Sequence, residues 1–167
     1  MKIALVLALF CGSALAQDYG LDPKLPYKEI EVRADRTPTP FLTGYIPETQ
    51  ECHLLINTST AKPTGIADLV GRAHEAGHCH ALRRGKQSIG AATRYGEAYG
   101  DVFALAWISK HHPDQLKDAI NFLMVARSPR AHQQRDPIYN TLLVIHRAMD
   151  NLPSDKDPVL FTEELLE

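Results

Sequence analysis

The segment GIADLVGRAHEAGHCHALRR, Gly65 to Arg84, carries the pattern on which the fold turns. Ile66, Leu69, Val70, Ala73 and Gly77 recur at steps of three and four, the spacing that lines one face of an α-helix. Asp68 falls in the first turn, Arg83 and Arg84 in the last, and Gly85 follows, which suits the helix dipole and a C-terminal cap. A helix with one buried stripe is predicted over this range. Inside it lies His74-Glu75-Ala76-Gly77-His78, an H-E-x-x-H pattern. His74 and His78 are one turn apart, so both rings can reach a single tetrahedral ion. Glu75 lies about 100° around the helix from His74. It is near such an ion without being aimed at it, and can take a proton from an ion-activated water.

With 8 histidines and 9 glutamates in 167 residues, chance alone gives this pattern in roughly 2% of chains of the same composition. A second feature is therefore needed, and Glu97 and Asp101 supply it. They stand four apart on a helix predicted over Ala91–Lys110, on a face continued by Ala98, Ala104, Leu105 and Ile108. Two carboxylates on an apolar face are costly to bury unless positive charge meets them. A divalent ion with its histidines is one such partner, and Arg94 or another basic residue is the other. In the first case Glu97 is the third metal ligand. Asp101, a turn further on, accepts the remaining ring N–H of a ligand histidine and fixes its tautomer.

The combination His74-Glu75-x-x-His78 with Glu97-x-x-x-Asp101 resembles the gluzincin zinc metallopeptidases, the thermolysin-like clan. The resemblance covers about Gly65 to Lys110. It implies one zinc ion per chain held by His74, His78 and Glu97, with Glu75 as general base and Asp101 supporting a ligand histidine. It also implies a zincin-like domain that hydrolyses peptide or amide bonds. Gly96 and Gly100 depart from the thermolysin pattern, which carries Asn and Ser there. A third-histidine H-E-x-x-H-x-x-G-x-x-H site fails, because Ala81 and Arg84 occupy its glycine and histidine positions. Gln50-Glu51-Cys52 ahead of the motif resembles peptide deformylase, in which a cysteine binds the metal, but the glycine-rich stretch of that family is missing. Gluzincins use a downstream His or Tyr to stabilise the oxyanion. His132, in the basic stretch Arg127 to Arg135, is the candidate by chain order, and an arginine of that stretch could hold a substrate carboxylate.

The rest of the chain frames this site. Its 44% hydrophobic and 23% charged content is that of a globular protein, and 18 basic against 20 acidic residues give a net charge of only −2. A near-neutral chain has no field to gather nucleic acid, so no nucleic-acid partner is expected. Residues 1–16 read as a signal peptide: Lys2, the apolar run Ile3 to Phe10, then Ala14-Leu15-Ala16, with cleavage after Ala16. A secreted or periplasmic protein without a stable membrane anchor follows. Export leaves Cys52 and Cys79, an even pair and a disulfide candidate in an oxidising compartment.

Residues 17–64 are proline-rich with short apolar runs, among them Ile30 with Val32 and Leu54-Leu55-Ile56. They predict a small irregular β region, with an edge or loop around Pro38 and Pro40. Residues 65–167 read as helical and form one domain with 17–64. Further helices are expected from near Asp114, from Asp136-Pro137 through Met149, and around Val159–Leu166. His80, His111 and His112 read as structural or helix-end residues, and Asn57-Thr58-Ser59 matches a glycosylation sequon. The expected fold class is thus α+β, a mainly helical zincin-like domain with a small irregular N-terminal β region. The expected activity is exported zinc-dependent hydrolysis of a peptide or protein substrate. The alternatives are a non-catalytic zinc-binding protein that uses the site as a structural or partner-binding element, and a helical binding module without metal.

Overall fold

A computed structural model of the chain describes residues 27–35, 39–85, 93–128, 141–152 and 155–167. The expected signal peptide, the Ala16 cleavage site, His132 and the Asp136-Pro137 helix start lie outside them. The described residues form an α+β fold, mainly helical, in the order β1 (Lys28–Val32), β2 (Phe41–Ile46), β3 (Glu51–Asn57), α1 (Ile66–Arg83), α2 (Arg94–His111), α3 (Leu116–Ala126), α4 (Leu142–Met149) and α5 (Pro158–Leu166). A 3-10 turn, Pro113–Gln115, joins α2 to α3.

The strands form one sheet in the order β1-β3-β2. β1 runs parallel to β3, from Lys28 opposite His53 to Val32 opposite Asn57. β2 runs antiparallel to β3, from Phe41 opposite Ile56 to Ile46 opposite Glu51. Cys52, Leu54 and Ile56 alternate inward along β3 and are buried. β2 is the strand that composition did not single out: Pro40 precedes it and Gly44 interrupts it, although Phe41, Thr43, Tyr45 and Ile46 are good strand formers. Asn57 is buried, its amide donating to the Ala34 and Thr39 carbonyl oxygens, so the sequon asparagine serves the loop between the strands.

α1 starts after Gly65 and ends at Arg84, with Gly85 in the left-handed conformation that favours glycine. It carries more than one buried stripe. Val70, Ala73, Ala76 and Ala81 join the helical core, while Arg72 and Cys79 are also buried. The reason is its position, between β2 and β3 on one side and α2 and α3 on the other. Arg72 ties it to the sheet, pairing with Glu29 of β1 and donating from Nε to Asp68 at 2.8 Å. α2, capped by Thr93 accepting from the Gly96 N–H, is buried nearly all round from Ala98 to Ser109 because α1, α3, α4 and α5 all pack on it. α5 is capped by Asp157, which accepts from Val159 and Leu160, with Pro158 in its first turn.

Cys52 of β3 and Cys79 of α1 form a disulfide, their Cα atoms 5.9 Å apart. Cys52 therefore cannot ligate a metal in this state, and the deformylase pattern is excluded. No helix among the described residues is long and apolar enough to cross a membrane. The bridge closes a loop with a sequence separation of 27. Loop-closure entropy puts its contribution at about 3 to 4 kcal/mol. The Cys52→Ala/Cys79→Ala variant is expected to lose that amount in denaturant unfolding. An unchanged unfolding free energy, or two thiols open to alkylation in the natively exported protein, would contradict it.

Candidate metal centre

α1 and α2 meet at two glycines. A Cβ on Gly77 would lie 3.1 Å from the Gly100 Cα and 2.9 Å from the Phe103 Cβ. A Cβ on Gly100 would lie 2.5 to 2.8 Å from three ring atoms of His74. Glycine at position 100 thus has a local cause: His74 fills the space a side chain would need. This close approach sets His74 and His78 against Glu97 and Asp101.

The two ring nitrogens Nε2 of His74 and His78 are 3.0 Å apart. Glu97 Oε2 is 3.5 Å from His74 Nε2, and Glu97 Oε1 is 3.9 Å from His78 Nε2. Ligands 2.0 to 2.1 Å from a tetrahedral ion are about 3.3 Å from one another, and here one ligand atom from each of the three residues lies within 4.8 Å of the others. His74, His78 and Glu97 could hold a metal ion, and all three are buried or nearly so. His74 Nδ1 lies 2.9 Å from Asp101 Oδ1. A carboxylate only accepts, so Nδ1 carries the proton and Nε2 is left to face the centre. The donor set therefore fits a metal: two imidazole nitrogens and a carboxylate converge, and the His74 tautomer is already set.

Asp101 is fully buried and saturated. Besides His74 it accepts from Arg127 Nε at 2.9 Å, Arg127 NH2 at 2.8 Å and Thr141 Oγ1 at 2.6 Å. Burial alone would raise its pKa, but His74 and Arg127 together hold it well below the usual carboxylate range. Arg127 NH2 also donates to Glu97 Oε2 at 3.0 Å. The carboxylate pair therefore meets the histidines and a basic residue, Arg127. Arg127 closes onto the site's own carboxylates, so it is not the arginine that would hold a substrate carboxylate. Neither Arg127 in this role nor Thr141 was legible beforehand, since both depend on how distant elements pack.

A cleft of about 640 Å³ opens over this group, lined by His74, His78, Glu75, Glu97 and Arg127. Its apolar walls include Phe41 and Leu42 of β2, Val70 of α1, and Phe122 and Leu123 of α3. Glu75 faces β2, where Thr43 Oγ1 lies 2.5 Å from its Oε2. His80 lies apart, its ring 5.0 Å from that of Phe103, and burial lowers its pKa to about 4. His111 and His112 both pack on Trp107. Comparison with protein-family models, with curated proteins and with solved structures finds no match for the chain.

Two outcomes follow from this geometry. Burial, the largest single influence on His74, disfavours its charged form, but the hydrogen bonds to Asp101 and Glu97 outweigh it and raise the pKa to about 10. A pKa raised in the folded state contributes stability that is complete below the ordinary histidine value and is lost as pH rises through about 10. Metal needs His74 Nε2 deprotonated, while Nδ1 keeps its proton toward Asp101. Metal-free protein is therefore expected to lose stability between pH 6.5 and 10, relative to His74→Gln, while metal affinity rises over the same range. Thermal unfolding and chelator competition across that range measure both trends. Separately, Gly100→Ala is expected to cost roughly 1 to 3 kcal/mol in denaturant unfolding through overpacking against His74. Wild-type stability in that variant would mean the helices do not meet this closely.

Proposed function

We propose that the chain is a zinc-dependent, gluzincin-like metallopeptidase acting on peptide or amide bonds after export. The observation that carries this reading is the convergence of His74, His78 and Glu97, with ligand atoms within 4.8 Å of one another, on a cleft that Glu75 also lines. Imidazole and carboxylate donors suit zinc, and three protein ligands leave a fourth position open, as catalytic sites do and structural sites do not. Charge points the same way. With His74 neutral, as ligation requires, Glu75, Glu97 and Asp101 carry three negative charges against one positive charge on Arg127, and a divalent ion brings the group to neutrality. Zinc there would polarise a carbonyl and bring the pKa of a bound water to about 7.

The protein's own groups supply the rest. Glu75 takes a proton from the attacking water and returns it to the leaving amine. Asp101 holds His74 in the tautomer that presents Nε2. β2 is an edge strand of the sheet and its residues line the cleft, which supports an extended peptide as substrate, hydrogen-bonded along that edge. His132, in the stretch between α3 and α4, keeps its proposed role as donor to the oxyanion. A second reading, a non-catalytic protein, is favoured by one feature: Arg127 pairs with Glu97 and Asp101 and meets part of their charge itself.

Purified protein is expected to contain about one zinc per chain, and His74→Ala or His78→Ala to lose it. Glu75→Gln is expected to keep the metal while hydrolysis of casein or a quenched peptide library falls by about 100- to 10,000-fold. Elemental analysis without stoichiometric metal would refute the centre. Equal hydrolysis in Glu75→Gln would remove Glu75 as the base. Stoichiometric zinc with no hydrolysis in either protein would establish the non-catalytic reading.

A further inference from the structure

β2 and α1 run side by side in a register marked by two direct contacts and, through β3, by the disulfide. Phe41 packs where Gly71 has no side chain, a Cβ there lying 2.5 Å from the phenyl ring. Thr43 meets Glu75. Tyr45 stands opposite Cys52, whose sulfur is bonded to Cys79. Positions 41, 43 and 45 are successive same-face residues of a strand, and 71, 75 and 79 are successive turns of a helix. Two strand residues advance about 6.7 Å and four helical residues about 6.0 Å, so the two elements stay matched over this length. Thr43 is therefore held between a steric notch on one side and a covalent bridge on the other, and cannot slide along the helix.

We infer that Thr43 is a positioning residue for the Glu75 carboxylate, resting on the reading of Glu75 as general base. The Thr43 Oγ1 to Glu75 Oε2 separation of 2.5 Å is that of a hydroxyl donating to a carboxylate. A hydroxyl has one proton, and the ionised oxygen takes it. The Glu75 main-chain oxygen, 3.0 Å from the same hydroxyl, is a second acceptor to which that proton can turn. Fixing Oε2 sets the plane of the carboxylate and leaves Oε1 for proton transfer. The β-branched threonine adds a stiff χ1 that a longer donor would lack. Because Thr43 sits on the strand that lines the cleft, the base is aligned to the same edge along which a peptide would lie.

The test uses the full exported chain loaded with zinc, as wild type, Thr43→Val, Thr43→Ser and Glu75→Ala. Valine keeps the shape without the hydroxyl, and serine keeps the hydroxyl. Two properties are measured: kcat and KM on a quenched peptide, and affinity for acetohydroxamic acid, a chelating acid that gives up its proton on binding. Thr43→Val is expected to keep stoichiometric zinc and KM while kcat and acetohydroxamate affinity each fall about tenfold, the effect of one hydrogen bond to a charged group. Thr43→Ser is expected to restore both to within about threefold, since the donor is regained. A purely structural role for Thr43 would not divide kcat from KM, nor be rescued by serine in both properties. Wild-type acetohydroxamate affinity in Thr43→Val, with Glu75→Ala impaired, would overturn the role of Thr43 alone. So would a Thr43→Ser variant as impaired as Thr43→Val. Equal affinity in Glu75→Ala and wild type would overturn the reading of Glu75, and this inference with it.

Discussion

The buried carboxylate of Asp101 accepts hydrogen bonds from His74 on α1, from two nitrogens of Arg127 at the end of α3, and from Thr141 ahead of α4. A charge with no solvent contact is tolerated only when its lone pairs are met, and here three separate parts of the chain must close on it together. Displacing any one of them would strand an ionised group in the core. That constraint orients the His74 ring, holds Arg127 beside Glu97, and ties α1, α2 and α3 around the candidate metal centre. The site is therefore built into the packing of the domain.

A second constraint comes from the sheet side. The Cys52–Cys79 bridge, the Phe41 contact at Gly71 and the Thr43 hydrogen bond fix β2 and β3 against the face of α1 that bears Glu75. α1 is thus clamped between a covalent and steric register on one side and the Asp101 network on the other. Two residues adjacent in sequence, His74 and Glu75, are held by different layers of the fold. His74 answers to the helices and Glu75 to the edge strand. Metal ligation and proton transfer would accordingly draw on separate supports, which rigidify the two functions independently.

The α+β class, the span of α1 and the cap glycine at 85 were legible because each is encoded within a few residues of itself, and α5 was expected around Val159–Leu166 without its Pro158 start. Also legible was the placing of His74 with His78 and of Glu97 with Asp101 on single helix faces, since helical spacing alone does that; that the two pairs meet was an expectation from the cost of burying carboxylates and from the gluzincin resemblance. The β region was legible only in part: the apolar run of β3 declared itself, whereas Gly44 and Pro40 masked β2. The nearly all-round burial of α2 and the second buried stripe of α1 were also hidden, because periodicity shows which face is most apolar and not how many neighbours will cover the others.

Sequence by itself thus determined the local elements and the residues of the candidate centre: two imidazoles, a carboxylate and an adjacent glutamate at helical spacing. Tertiary structure alone decided how they are arranged. Arg127 reaches Asp101 across 26 positions and Thr43 reaches Glu75 across 32, distances at which no local rule applies. The closeness that joins His74 to α2 depends on Gly77 and Gly100 falling opposite each other, which two helices reveal only once packed. Helix and strand propensities arise from short-range sterics and hydrogen bonds. Partners across the core are chosen by which surfaces the hydrophobic effect brings together.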